Sequence, residues 1–106
     1  MTNFLLAYSG GSDMAEASTE QQKSVMHAWG AWFGTLGAAV TDSGNPFGAS
    51  TTLSADGSNT GGGPSGLTGY SILAAESLQA AADLAKGCPL LSVGGTVEVY
   101  EVVPVM

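Results

Sequence analysis

The chain has 106 residues, of which 44% are hydrophobic, and nine carboxylates stand against two lysines, giving a net charge of −7. This length and apolar content fit one folded domain, which we expect to span residues 1–106. The negative charge repels nucleic-acid phosphates and anionic lipid surfaces, so the composition argues against nucleic acid and membranes as partners.

The amino end predicts neither export nor membrane insertion. Its apolar run at 4–8 is shorter than the roughly 7–15 residues of a signal-peptide core, and no stretch approaches the roughly 20 apolar residues that span a bilayer. We therefore expect a cytoplasmic protein. Cys88 is the one cysteine, and its place after a helix-ending glycine favours a packed small side chain over a reactive thiol.

The first half of the chain predicts a strand and then a helix. The apolar run 3–8 ends at a glycine-rich loop and is typical of a short strand. Ser18 or Thr19 caps the helix, with Gln21 and Gln22 at capping-box spacing. At ~100° per residue, one face of this helix collects most of its large apolar side chains. They are Val25, Met26, Trp29, Trp32, Phe33, Leu36 and Val40.

The second half predicts more strands and another helix. Turn-forming residues fill 41–46, and the threonine-rich segment 50–55 predicts a modest strand. After a glycine-rich loop, a strand at 67–74 places Tyr70 and Ile72 on one side and Leu73 on the other. A helix runs from about Ser77 to a stop at Gly87. The last strand, at 96–103, has the strongest β pattern.

This order of elements predicts an α+β, ferredoxin-like split βαβ sandwich, an antiparallel sheet with two helices on one face. The other face would carry part of the 4–8 run, Tyr70, Ile72 and the terminal valines. An apolar patch of that size rarely stays exposed on a soluble monomer. We therefore expect a symmetric homodimer, in which a second copy covers the patch.

Six short motifs, taken in order and at their spacing, resemble the YCII-related family. Nearly the whole chain is covered by the motifs at 4–8 (Phe-Leu-Leu-Ala-Tyr), 28–33, 44–48, 69–72, 85–89 and 95–99. The resemblance implies a dimeric α/β barrel, in which the sheets of two ferredoxin-like subunits face each other. One branch of that family has an Asp-Gly-Pro-Phe motif before its central strand, and of this motif the loop 61–66 keeps only Gly63 and Pro64.

Another branch of the family is credited with a His-Asp pair that performs acid/base work on small substrates. His27 falls in the register of that histidine. The aspartate position falls near Ser9, so the dyad is incomplete as written, and Asp13 would substitute only if its loop folded back.

Each candidate residue has two open interpretations, one functional and one structural. His27 is an acid/base candidate by its titration range, but it points away from the apolar stripe, as a surface histidine does. Asp13 is its candidate partner, or a solubilising charge before a helix. Glu98 is a candidate proton carrier in a dimer cavity, or a charge that protects an edge strand from aggregation.

We expect a ligand pocket, if one forms between sheets, to be lined by the strand tyrosines Tyr8, Tyr70 and Tyr100, since they offer a hydroxyl in an apolar wall, together with Ser9 and Glu98. The chain lacks paired metal-ligand spacing and phosphate-loop motifs, so we expect no metal or cofactor. The sequence thus favours a small-molecule-binding dimeric domain without a complete catalytic dyad. The alternative is a small-molecule enzyme that uses His27 with a nearby carboxylate.

Overall fold

The computed structural model describes residues 1–11, 18–63 and 65–105. These residues form two α-helices and four β-strands. The strands pair in a single antiparallel sheet with the order β2-β3-β1-β4. The predicted α+β, ferredoxin-like split βαβ arrangement is confirmed. The elements are β1 (Thr2–Gly10), α1 (Thr19–Leu36), β2 (Val40–Asp42), β3 (Leu67–Ala75), α2 (Leu78–Ala85) and β4 (Gly95–Glu101), with 3-10 turns at Gly37–Ala39 and Pro89–Val93.

Helix α1 begins at the predicted capping box. The Ser18 hydroxyl accepts a hydrogen bond from the Gln21 backbone N–H at 3.1 Å, and the Gln21 side chain accepts one from the Ser18 N–H at 2.9 Å. The helix ends at Gly37, whose positive φ stops it and whose N–H bonds the Phe33 carbonyl. The apolar face predicted for this helix is therefore wrong at two positions. Val40 lies beyond the helix, in β2, and Met26 is 71% exposed.

The core lies between the sheet and the two helices. Alternate residues of β1, namely Phe4, Leu6 and Tyr8, are buried there, because successive strand side chains point to opposite faces. Trp32 of α1 is in one core cluster with Leu6 and Tyr8, and its indole N–H donates to the Leu84 carbonyl at 3.2 Å. Cys88 is buried in the same cluster, so its predicted packing role is confirmed.

The prediction of a strand at 50–55 is wrong, because this threonine-rich segment has almost no large apolar side chain to bury. The second strand is Val40–Asp42, where Val40 packs against the core. A bridge between Pro46 and Gly69 continues the pairing along β3. Gly44 makes the bend between the two parts with a positive φ, and a Cβ there would overlap the Tyr70 carbonyl.

Within the described residues, neither helix combines the length and the apolarity required to cross a lipid bilayer.

Candidate functional site on the open face of the sheet

The sheet has a second face that neither helix covers. Since Phe4, Leu6 and Tyr8 point to the helices, the alternating side chains of β1 point the other way. We call this surface the open face. It is made of Leu5, Ala7 and Ser9 from β1, Tyr70 and Ile72 from β3, and Glu98 and Tyr100 from β4.

The register sets these side chains in two neighbouring rows. Leu5 lies between Ile72 and Tyr100, and Ala7 lies between Tyr70 and Glu98. The centre of the open face is therefore aliphatic, and polar rings and a carboxylate stand around it. Ala7 is only 4% exposed, Leu5 and Ile72 are half-buried, and Tyr100 is 52% exposed. The apolar surface of the face therefore comes from Leu5, Ile72 and the Tyr100 ring.

Two tyrosine–carboxylate pairs flank the aliphatic centre. The Tyr70 hydroxyl donates to Asp42 Oδ2 at 3.1 Å, and the Tyr100 hydroxyl donates to Glu98 Oε2. In each pair the hydrogen bond to the carboxylate, followed by repulsion from its charge, raises the pKa of the tyrosine. Both phenols are therefore protonated donors at neutral pH, and each carboxylate has a hydrogen-bond partner.

The charge on the open face has one sign. The two lysines of the chain lie on the helical side: Lys23 is in α1 and Lys86 follows α2, where it pairs with Asp83 at 3.0 Å. Asp42 and Glu98 consequently face no lysine or arginine across the sheet. An anion that approaches the open face is repelled, whereas a cation or a neutral polar group is not.

An aromatic stack extends the open face toward the β2 edge. The Phe47 ring lies on the Tyr70 ring with centroids 5.8 Å apart and an interplanar angle of 18°. Backbone hydrogen bonds from Phe47 to Thr68 and from Tyr70 to Asn45 hold the two rings in place. Neither Phe47 nor Asp42 was predicted as a site residue. The signal available for them was the turn motif at 44–48, which brings this segment beside β3.

The predicted pocket residues do not all lie together. Tyr8 is on the covered face, where its hydroxyl donates to Ser71 Oγ at 2.7 Å and its ring packs edge-on against Trp29. Burial raises the pKa of Tyr8 to about 12. Tyr8 and Tyr70 are therefore separated by the sheet, whereas Ser9, Tyr70 and Glu98 share the open face. Val97 and Val99 also pack toward the helices, so the terminal strand contributes Tyr100 to the open face instead of its valines.

The predicted acid/base residues lie away from the open face. His27 is exposed on α1 and forms no hydrogen bond or ion pair with another residue in the described ranges. Asp13 lies outside the described residues, so its pairing with His27 stays a prediction. Among the residues that the structure places, no three histidine, cysteine, aspartate or glutamate side chains gather as a metal site.

Comparisons with known proteins add little to this geometry. No family model matches the chain, and no curated protein matches it. A solved structure described as an unknown protein from Galdieria sulphuraria is similar over 99% of this chain, with 11% sequence identity and a TM-score of 0.39. The chain covers 47% of that protein. The chemistry of the open face is therefore the guide to function.

Proposed function

We propose that the chain is a small-molecule-binding subunit of a homodimer of the YCII-related type. In this dimer the open faces of two copies meet and enclose the binding cavity. The observation that carries the proposal is the uncovered side of the sheet, which has Leu5 and Ile72 at its centre and two tyrosine rings beside them. Exposure of such an apolar surface to water is unfavourable, and the same surface of a second copy is the simplest cover for it.

The dimensions of the subunit support this proposal. It is 18 Å across its shortest axis, which fits one layer of helix and one of sheet, each about 10 Å thick. Its accessible surface is 6920 Å², whereas a folded chain of this mass exposes about 5,400 Å². The excess is on the order of 1,500 Å², to which the exposed segment 50–63 contributes together with the open face.

The side chains of the open face favour one class of ligand. Tyr70, Tyr100 and Phe47 offer rings, Leu5 and Ile72 offer aliphatic contacts, and the carboxylates offer acceptors. In a dimer these groups occur twice, with no lysine or arginine among them. The ligand that this lining suits is small and partly apolar, and it is neutral or positively charged.

Ligand binding is favoured over acid/base catalysis by His27 for a geometric reason. Asp42 and Glu98, the carboxylates of the open face, are separated from α1 by the sheet and its core. His27 therefore has no carboxylate partner among the described residues that also contacts the proposed cavity. A hydrogen-bonded orienting group is what general acid/base catalysis by histidine requires.

The charge preference is tested with three probes that share a benzyl or phenyl ring. We expect millimolar benzylamine and benzyl alcohol to raise the melting temperature of the dimer and benzoate to leave it unchanged. Native mass spectrometry of gently purified protein then identifies any retained cellular ligand. If none of the probes stabilises the dimer, or if benzoate stabilises it best, the proposed cavity is wrong.

The requirement for the dimer is tested with a charge at the centre of the open face. Ile72→Asp should give a folded monomer that no longer responds to the probes, because a buried unpaired carboxylate opposes association. Leu78→Asp is the matched control, since Leu78 is exposed at the start of α2 on the helical side. A probe response that survives in the Ile72→Asp monomer would place the binding site elsewhere.

A further inference from the structure

One register row of the open face crosses all four strands. It contains one residue of each strand, in the order Asp42, Ile72, Leu5 and Tyr100. Neighbouring strands lie about 4.8 Å apart, so the Cα atoms at the two ends of the row are about 14 Å apart. One of the two tyrosine–carboxylate pairs stands at each end. Two aliphatic side chains therefore separate two negative charges.

The first carboxylate of the row is fixed in position by neutral donors. Asp42 Oδ1 accepts from the Gly44 N–H at 2.9 Å, and Asp42 Oδ2 accepts from the Tyr70 hydroxyl at 3.1 Å. A carboxylate has about four acceptor sites, so about two of them stay available on Asp42. Neither donor carries a charge. Asp42 can therefore bind a cationic donor without losing either hydrogen bond.

Aromatic rings lie beside both carboxylates. Phe47, whose ring stacks on Tyr70, is 47% exposed, and Tyr100 is 52% exposed. The face of such a ring attracts an ammonium group, and the attraction grows when water is excluded. A ring and a carboxylate together favour an ammonium group over a neutral polar group. The aliphatic side chains between the two ends suit a chain of methylene groups.

Closure of the proposed cavity favours a positively charged ligand over a neutral one. When two open faces meet, Asp42 and Glu98 of both copies are transferred from water into the interface. Burial of carboxylates without a cation is strongly unfavourable. The chain supplies no cation for them, since Lys23 and Lys86 lie on the helical side. A neutral ligand leaves this cost in place, whereas a ligand with two positive charges offsets it at both ends of a row.

We propose that the ligand is a diamine that binds along this row. One ammonium group binds Asp42 beside the stacked rings, and the other binds Glu98 beside Tyr100. The methylene chain lies over Ile72 and Leu5. This assignment rests on the proposed small-molecule-binding dimer, to which it adds the chemical class of the ligand. Since the diamine neutralises charges that oppose association, it also lowers the dimer dissociation constant.

Sedimentation equilibrium with and without millimolar diaminooctane tests the choice of a diamine. Its two ammonium groups should lower the dimer dissociation constant about 10-fold or more. Aminooctanol has the same length but one ammonium group, so we expect a smaller decrease. Diaminobutane has both charges but is too short for the row, and it should act no better than aminooctanol. Sodium chloride at the same ionic strength controls for screening of the net charge.

Two variants test the two ends of the row separately. Asp42→Asn and Glu98→Gln should each remove the advantage of diaminooctane over aminooctanol, because one ammonium group loses its carboxylate. Each should also lower the dissociation constant of the ligand-free dimer, since one charge no longer opposes association. Glu101→Gln is the matched control. It removes the same charge from β4, but Glu101 is paired with Phe4, whose side chain is on the helical side. This variant should keep the preference for diaminooctane.

Failure of the diamine is distinguishable from failure of the proposed function. If diaminooctane is no better than aminooctanol or sodium chloride, while benzyl alcohol still stabilises the dimer, the diamine is wrong and the cavity stands. A preference for diaminooctane that persists in both Asp42→Asn and Glu98→Gln also overturns the diamine assignment. If the unmodified chain is monomeric with every ligand, the proposed function is wrong as well.

Discussion

The two faces of the sheet differ in what covers them, although their sequences are similar. Leu73 is fully buried beneath the helices, whereas Ile72, the preceding residue of the same strand, is half-buried on the open face. Leu6 and Leu5 of β1 form the same contrast. Strands that are apolar on both sides are typical of sheets covered on both sides. The helices of one chain cover one face, and this difference is the basis of the proposal that a second copy covers the other.

Truncation of two neighbouring residues on β3 tests most directly whether the two faces are covered differently. Leu73→Ala should lower the free energy of unfolding by about 2–5 kcal/mol, because it leaves a cavity in the packed core. Ile72→Ala should lower it by less than about 1 kcal/mol in dilute protein, where the open face is not covered. Chemical denaturation measures both values. Equal losses in dilute protein would show that the two faces are covered alike within one subunit.

Substitution of Gly44 tests the bend that positions Asp42 and Phe47 at the open face. Gly44→Ala should cost about 2–4 kcal/mol, since a side chain there meets the Tyr70 carbonyl and the positive φ disfavours alanine. Gly48→Ala is the matched control, because a Cβ at Gly48 meets nothing within 4 Å. Thermal denaturation distinguishes the two. A Gly44→Ala protein as stable as Gly48→Ala would show that the bend is not fixed by this contact.

Alkaline titration tests the burial of Tyr8 on the covered face. Below pH 10 its phenol is protonated in both the folded and the unfolded chain. Between the ordinary pKa of 10.0 and the folded pKa of about 12, only the unfolded chain loses the proton. Stability therefore falls as pH rises through this window, by about 2–3 kcal/mol from Tyr8.

Tyr8→Phe separates this contribution from others with the same sign. Burial also raises the pKa of Cys88, so the thiol adds to the alkaline loss in both proteins. The slope of unfolding free energy against pH should be shallower in Tyr8→Phe than in the unmodified chain between pH 10 and 12. Identical slopes would mean that Tyr8 is not buried in the folded state.

The smallest expected effect is at the Tyr70 hydroxyl. Tyr70→Phe removes an exposed hydrogen bond to Asp42 and should change the stability of dilute protein by no more than about 0.5 kcal/mol. At concentrations where the dimer forms, the loss should grow, because Asp42 is then buried without its donor. Denaturation at two protein concentrations measures the difference. A loss that is independent of concentration would argue against burial of Asp42 by a partner.

Most of the fold could be predicted from the sequence because strong local signals agree. The capping box at Ser18, the aromatic spacing of α1, the stop at Gly87 and the alternation in β3 each specify one element. The second strand was misplaced because its β signal is weak. Val40 alone provides a partly buried side chain in β2, whereas the threonines at 51 and 52 have high strand propensity but no apolar surface to cover.

The site was predicted less well, for physical reasons that differ between residues. The run at 4–8 is apolar at every position, so alternation alone does not show which side meets the helices, and Tyr8 was assigned to a pocket although Trp29 packs on it. Phe47 joins the open face through the bridge between Pro46 and Gly69, which are 23 residues apart in sequence. Alternation in β3 correctly placed Tyr70 and Ile72 on the same side of the sheet. In β4 the valines were assigned to the uncovered face, where the structure instead has Glu98 and Tyr100.

The central claim, that a second copy covers the open face, is tested most directly by isotope-filtered NMR on a mixture of labelled and unlabelled chains. We expect intermolecular contacts from the methyl groups of Leu5 and Ile72 to tyrosine rings of the other copy, together with tumbling at twice the 10.5 kDa chain mass. Tumbling as a monomer at millimolar concentration would contradict it. So would intermolecular contacts confined to helical-side residues such as Leu78.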